Sequence, residues 1–249
     1  MTEMNTVFET ALANKHVVIV GGSSGMGKAT AKLAVTLGAK VTIASRNTAK
    51  LEAAATEIGS AVQVSPLDMT DEVGVKAWAG KLGRVDHLVI SASSAVHGAF
   101  TDLPTDELRS MFEAKFTGPY VTAREVLPSL TDGGSITFFS GVLSRRPSVR
   151  ATGLGAVNAA VEALTKGLAL ELGGRARVNC ISPGMVDTEA YNEMPQQTRD
   201  AMYDEVGGSL PVGRVGQAED IAQAVIMAMT NDYLSGAVLD VDGGHLVRA

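Results

Sequence analysis

The chain has 249 residues, 45% of them apolar and 19% charged, which excludes a mainly disordered state. A net charge of −6, from 21 basic and 27 acidic side chains without a Lys/Arg cluster, argues against nucleic acid as the main partner. One cysteine, Cys180, excludes an internal disulfide, and the scattered His16, His87, His97 and His245 lack metal-ligand spacing, so no metal is expected.

In chain order, residues 16–20 read as a buried strand and 26–37 as a helix with Met26, Leu33 and Leu37 on one face. A second strand follows at 41–45, a helix at 50–58, a short strand at 62–64 and a helix at 71–82. Residues 87–91 form strand four. Residues 105–130 predict one long helix, bent near Gly118 and Pro119. Strand five is 135–140. A helix at 154–172 carries Val157, Val161, Leu164, Leu168 and Leu172 as an apolar stripe. Strand six is 177–181, a helix spans 218–229, and 237–240 is the last strand.

Strict β-α alternation predicts an α/β fold: a single Rossmann-like domain over 1–249, with a doubly wound parallel sheet of about seven strands and helices on both faces. With 4% aromatics and 27 glycines, its core is built from Ala, Val, Leu and Ile with close backbone approaches. The irregular stretch from Pro183 to Gly216 reads as a substrate lid, at about 185–216. No apolar run approaches 18 residues and no signal peptide is evident, so a cytoplasmic protein without a membrane partner is expected.

Strand one runs into Gly21-Gly22-Ser23-Ser24-Gly25-Met26-Gly27-Lys28, which opens a helix. Glycines there allow a tight turn and bring backbone N–H groups to a ligand, and the helix start offers unpaired donors and partial positive charge to phosphate. Placed between a strand and a helix, the motif meets its structural context.

On these residues the chain resembles the short-chain dehydrogenase/reductase family. Asp68-Met69-Thr70 resembles the family's adenine-holding segment, Leu164 to Leu172 its long dimer-forming helix, and Arg177 to Gly184 the strand and Pro-Gly turn beside nicotinamide. Val241-Asp242-Gly243-Gly244 is similar to the family ending. The resemblance implies a nicotinamide dinucleotide held by Gly21, Ser23, Ser24, Gly25, Met26 and Gly27. Adenine would lie by Leu67, Asp68 and Met69, and the rest of the dinucleotide by Ser91, Ala92, Ser93, Pro183, Gly184, Val186 and Thr188. Where NAD-specific members end strand two with an acid, this chain has Ser45, Arg46 and Asn47. A permanently charged planar fork and no carboxylate favour a 2′-phosphate, hence NADP(H).

The family's ketone reductases use Ser, Tyr, Lys and a relay Asn. Their positions fall here on Gly141, Leu154, Asn158 and Lys115. A leucine cannot transfer a proton. The candidate catalytic groups are therefore Ser140, Lys115, His97 and Asn158. Three readings stay open: an oxidoreductase acting on a small molecule with another proton source, an NADP(H)-binding protein without turnover, or a non-redox enzyme in the same pocket. Activated double bonds, imines and quinone-like rings need less proton help than a ketone. Arg145, Arg146 and Arg150 read as a surface or interface cluster, or as an attractor of anionic substrates. By resemblance, helices 105–130 and 154–172 predict a homodimer or homotetramer, and Gly155, Ala156, Ala159, Ala160 and Ala163 permit close helix approach.

Overall fold

The computed structural model describes residues 11–92 and 94–248. Seven parallel strands lie in the order β3-β2-β1-β4-β5-β6-β9. They are β1 (His16–Val20), β2 (Lys40–Ser45), β3 (Val62–Pro66), β4 (Val85–Ile90), β5 (Leu130–Phe139), β6 (Ala176–Pro183) and β9 (Val238–Val241). Two-residue strands β7 (Val186–Asp187) and β8 (Gly216–Gln217) pair separately. The order reverses direction between β1 and β4, and open α/β sheets bind ligands outside the carboxyl ends of strands at such a point.

Sheet geometry sends successive side chains to opposite faces. Thus Val18, Val20, Leu88, Ile90, Phe138 and Cys180 join one core layer. Their chain neighbours Val17, Ile19, Val89, Phe139 and Ile181 join the other. The first layer lies under α3 (Glu72–Ala79), α5 (Gly118–Val126) and α6 (Thr152–Leu172); the second lies under α1 (Gly25–Thr36), α2 (Thr48–Ile58) and α8 (Ala218–Thr230). Burial on both faces explains the continuous apolar runs of the central strands.

The expected long helix at 105–130 is corrected. α4 (Thr105–Phe112) passes into a π turn (Glu113–Thr117) before α5, and a 3-10 turn (Leu127–Ser129) follows; Leu130 already belongs to β5. Pro119 explains the π turn. It has no N–H to give the Lys115 carbonyl, and in an α-helix its ring would strike that carbonyl. The wider turn bonds the Gly118 N–H back to Glu113 instead. The stretch 183–216 is also less irregular than expected, because it contains a 3-10 turn (Glu189–Tyr191) and a helix, α7 (Gln196–Gly208). That helix is polar almost all round, so no apolar period announced it. Among the described residues no helix is long and apolar enough to cross a membrane.

Candidate active site

A cleft of about 820 Å³ opens at the β1–β4 switch. Its floor is the glycine turn. Gly21 has φ +91°, a conformation that favours glycine, and a Cβ there would collide with the Ala92 backbone. A Cβ on Gly27 would overlap the Gly21 carbonyl and crowd the Ser91 hydroxyl. The turn is therefore closed to side chains and open to a ligand's close approach. Ser24 stands at the N-cap of α1 without a side-chain capping bond, and the first turn of α1 has no acid. The helix start thus keeps its donors for something else. One is already taken: Gly25 N–H donates to Glu189 Oε2 at 2.6 Å, and Lys28 Nζ lies 3.0 Å from Glu189 Oε1.

Ser45, Arg46 and Lys50 line the same cleft. The Ser45 hydroxyl is buried and has no hydrogen-bond partner, and Arg46 makes no ion pair among the described residues. Asn47 is otherwise engaged, since its Oδ1 accepts from Lys50 N–H at 2.9 Å and caps α2. Leu67, Asp68 and Met69 line one wall. Asp68 Oδ1 accepts from the Thr70 amide at 3.0 Å and the Thr70 hydroxyl at 2.8 Å, which holds its carboxyl below the usual range. Ser23, Ser24, Met26, Ser91, Ala92 and Thr188 also face the cleft. Pro183, Gly184 and Val186, expected along the dinucleotide, are not among the residues that line the cleft; a Cβ on Gly184 would press on Asp242. Ser93 lies outside the described residues.

Beside the cleft, at the carboxyl end of β5, lies a buried polar cluster. Lys115, on the π turn, is 7% exposed, and its Nζ donates to the Ser140 carbonyl at 3.3 Å. That carbonyl is fixed because the Ser140 N–H donates to Ile181 O. No carboxylate pairs with Lys115 among the described residues, and burial lowers its ammonium to about 8. The Ser140 hydroxyl donates to Glu162 Oε1 at 3.1 Å, and that oxygen also accepts from Ser144 Oγ at 2.6 Å. Arg145 Nη2 stands 3.5 Å from the same Glu162 oxygen and pairs with Asp240, so three donors converge on Glu162 Oε1. Asn158 is 2% exposed; its Nδ2 donates to the Gly141 carbonyl at 3.3 Å, while its buried Oδ1 has no donor among the described residues. A Cβ on Gly141 would sit 3.0 Å from Asn158 Nδ2, so these two residues fit each other closely. Leu154 packs with Met111 and Val157 in a small apolar cluster.

The structure brings Lys115, Ser140 and Asn158 to one strand end. It leaves His97 exposed on the loop after β4, without a hydrogen bond among the described residues. The arginine cluster divides. Arg145 is spent on Asp240 and Ser182, and Arg146 on the carbonyls of His245 and Arg248; Arg150 is exposed at φ +62°. Sequence reasoning missed Glu162 and Glu189. Glu162 follows Leu154 and Asn158 at i+8 and i+4, which places it on their helix face and is the one signal that pointed to it. Among the described residues no cluster of His, Cys, Asp or Glu is placed to hold a metal ion.

A family model described as enoyl-(acyl carrier protein) reductase matches residues 20–245. Carbonyl reductase family member 4 of Xenopus laevis is 31% identical over 238 residues, covering 93% of this chain and 98% of its own length. A solved small-chain dehydrogenase in complex with NADPH is 38% identical with a TM-score of 0.82, over 94% of this chain and 99% of that one. The MalC reductase/Diels-Alderase of Malbranchea aurantiaca is 25% identical with a TM-score of 0.89, over 96% and 99%. This chain belongs to the short-chain dehydrogenase/reductase family.

Proposed function

We propose that the protein is an NADP(H)-dependent oxidoreductase of small organic molecules whose proton does not come from a tyrosine. One observation carries the cofactor assignment: a glycine turn closed to side chains lines the same cleft as an orphaned Ser45 hydroxyl and the Arg46 guanidinium. The glycine turn and Thr188 would hold the pyrophosphate, and Ser45 with Arg46 the 2′-phosphate, since β2 ends on a hydroxyl rather than a carboxylate. Bound there, the reduced nicotinamide supplies a hydride to an electrophilic carbon. The similarity to a dehydrogenase in complex with NADPH supports the same cofactor here. Fluorescence titration with NADPH and NADH tests the assignment; tighter NADH binding overturns it. Consumption of NADPH with a panel of carbonyl, imine and enone compounds tests the oxidoreductase reading.

A binding role without turnover is the second reading. It is favoured by Leu154 and Asn158, which fill the strand end with groups that do not titrate. Tight NADPH binding without consumption across the panel would select it. The name of the MalC protein joins a reductase to a Diels-Alderase, so cyclisation products belong in the same assay.

We also propose that the protein self-associates through α6. Thr152, Ala156, Ala159, Ala163, Lys166 and Leu170 are exposed at spacings of three and four, and Leu170 is 85% exposed. A stripe this small and apolar suits close approach of a second helix.

A further inference from the structure

We infer that Lys115 is the catalytic acid of this site: it delivers a proton to the heteroatom, or to the carbon adjacent to an activating group, of a substrate that takes up hydride. The inference rests on the NADP(H) reading above and supplies the proton source that reading lacks.

Geometry singles out Lys115 among the polar groups at the end of β5. A buried cation is costly unless it is paired, and structural lysines in such places face a carboxylate. Among the described residues Lys115 has none, and the acceptor it finds there is the Ser140 carbonyl, at 3.3 Å. Glu162, the carboxylate beyond Ser140, takes Ser140, Ser144 and Arg145 on its Oε1 and forms no ion pair with the lysine. An unpaired ammonium at the carboxyl edge of a parallel sheet, beside the cleft lined by its neighbours Glu113 and Ala114, is a donor waiting for an electron-rich atom. The π turn puts it there, and such turns recur at functional sites.

The other three candidates fall away by chemistry. Asn158 cannot release a proton at neutral pH. The Ser140 hydroxyl already donates to Glu162, and His97 is exposed on its loop. Burial also tunes Lys115 toward its task, since an amine near pH 8 exchanges its proton far more readily than an exposed lysine.

The reaction balances simply. A reduced nicotinamide gives two electrons and one hydrogen as hydride to the carbon of a polarised C=O, C=N or conjugated C=C bond, and is oxidised. The π pair of that bond moves to the heteroatom or distal carbon, which takes the proton from Lys115 Nζ. The neutral amine then regains a proton from water. Among the described residues the titratable group that acts on Lys115 is Cys180 on β6, with Glu162 beyond Ser140 on α6 and Glu113 two residues away on its own turn. Burial pushes the Cys180 thiol up to about 11, so it stays neutral.

The test has two arms. The Nζ of [ε-15N]lysine-labelled protein is titrated by NMR, with Lys115→Met assigning the signal. A midpoint near pH 8 supports the inference, and one near that of an exposed lysine overturns it. In the second arm, wild type, Lys115→Met and Lys115→Arg are compared on the NADPH panel, with thermal melts as a check on folding. The expected result is a loss of kcat of about 100-fold or more in both variants, NADPH affinity within about threefold of wild type, and loss of the basic limb of the pH profile. Full activity in either variant overturns the proton role. Failure of wild-type turnover with intact NADPH binding overturns it too, leaving a binding protein, whereas failure to bind NADPH defeats the cofactor reading itself.

Discussion

Glu189 Oε2 accepts the Gly25 N–H at 2.6 Å, the carboxylate of the 3-10 turn Glu189–Tyr191 resting on the first donor of α1. A pyrophosphate bound at the same helix start would need that donor. Carboxylate and phosphate therefore compete, and Lys28, which bridges Glu189 and Glu57, would be shared among them. Glu189→Gln weakens the internal contact and is expected to tighten NADPH binding about threefold to tenfold, a gain of ~1 kcal/mol. Stopped-flow fluorescence checks it, with the gain appearing mainly in the association rate. Unchanged affinity would show that the two anions do not meet.

Cofactor choice rests on Arg46. Arg46→Ala should raise the Kd for NADPH by about tenfold to a hundredfold, the ~1.5–3 kcal/mol of a hydrogen bond to a charged group, and leave NADH almost untouched. Adding Ser45→Asp should reverse the preference, because the new carboxylate repels a 2′-phosphate. Isothermal titration with both dinucleotides measures each change.

Gly27→Ala is expected to abolish dinucleotide binding. Its Cβ would overlap the Gly21 carbonyl, which is backbone and cannot swing aside. The strain should also cost about 1–3 kcal/mol of stability, seen as a lower urea midpoint.

His87 makes the fold acid-sensitive. Burial, and next the nearby Arg177 charge, lower it to about 4, and its Nδ1 lies 2.9 Å from Ser135 Oγ. An unfolded histidine protonates near pH 6.5. Between these values the unfolded chain binds the extra proton, so stability falls as pH drops from about 6.5 toward 4. The full loss is roughly 3 kcal/mol, and urea melts at pH 7.5 and 5.0 should capture more than half of it. His87→Gln should flatten that difference; an equally steep variant would assign the effect elsewhere.

The exposed stripe on α6 predicts that Ala159→Glu yields a smaller particle by light scattering while keeping its NADPH affinity. A wild-type monomer, or a variant of unchanged size, would remove α6 as the contact.

Much of this was legible in the sequence, for reasons that differ by element. The strands announced themselves because burial on both faces demands continuous apolar runs, and the phosphate turn because only glycine tolerates the backbone at Gly21 and Gly27. The π turn was hidden, since one widened turn leaves no period; Pro119 marked the spot but not the form. α7 was hidden by its polarity. Glu162 was masked by the apolar stripe around it, as its role depends on Ser144 and Arg145, which only folding brings near. The arginine cluster misled because neighbours in sequence were given different partners, Asp240 and the C-terminal carbonyls.

The π turn has one more effect. An extra residue in a single turn advances everything after it by about 100° around the axis. α4 turns Leu108 and Met111 toward Leu154 at the site, while α5 turns Val121 and Val126 into the sheet layer. Without the offset, those two faces would lie along one line and could not both be satisfied. The proline thus lets one stretch of chain serve two packings, Leu108 and Met111 against Leu154, and Val121 and Val126 against the sheet.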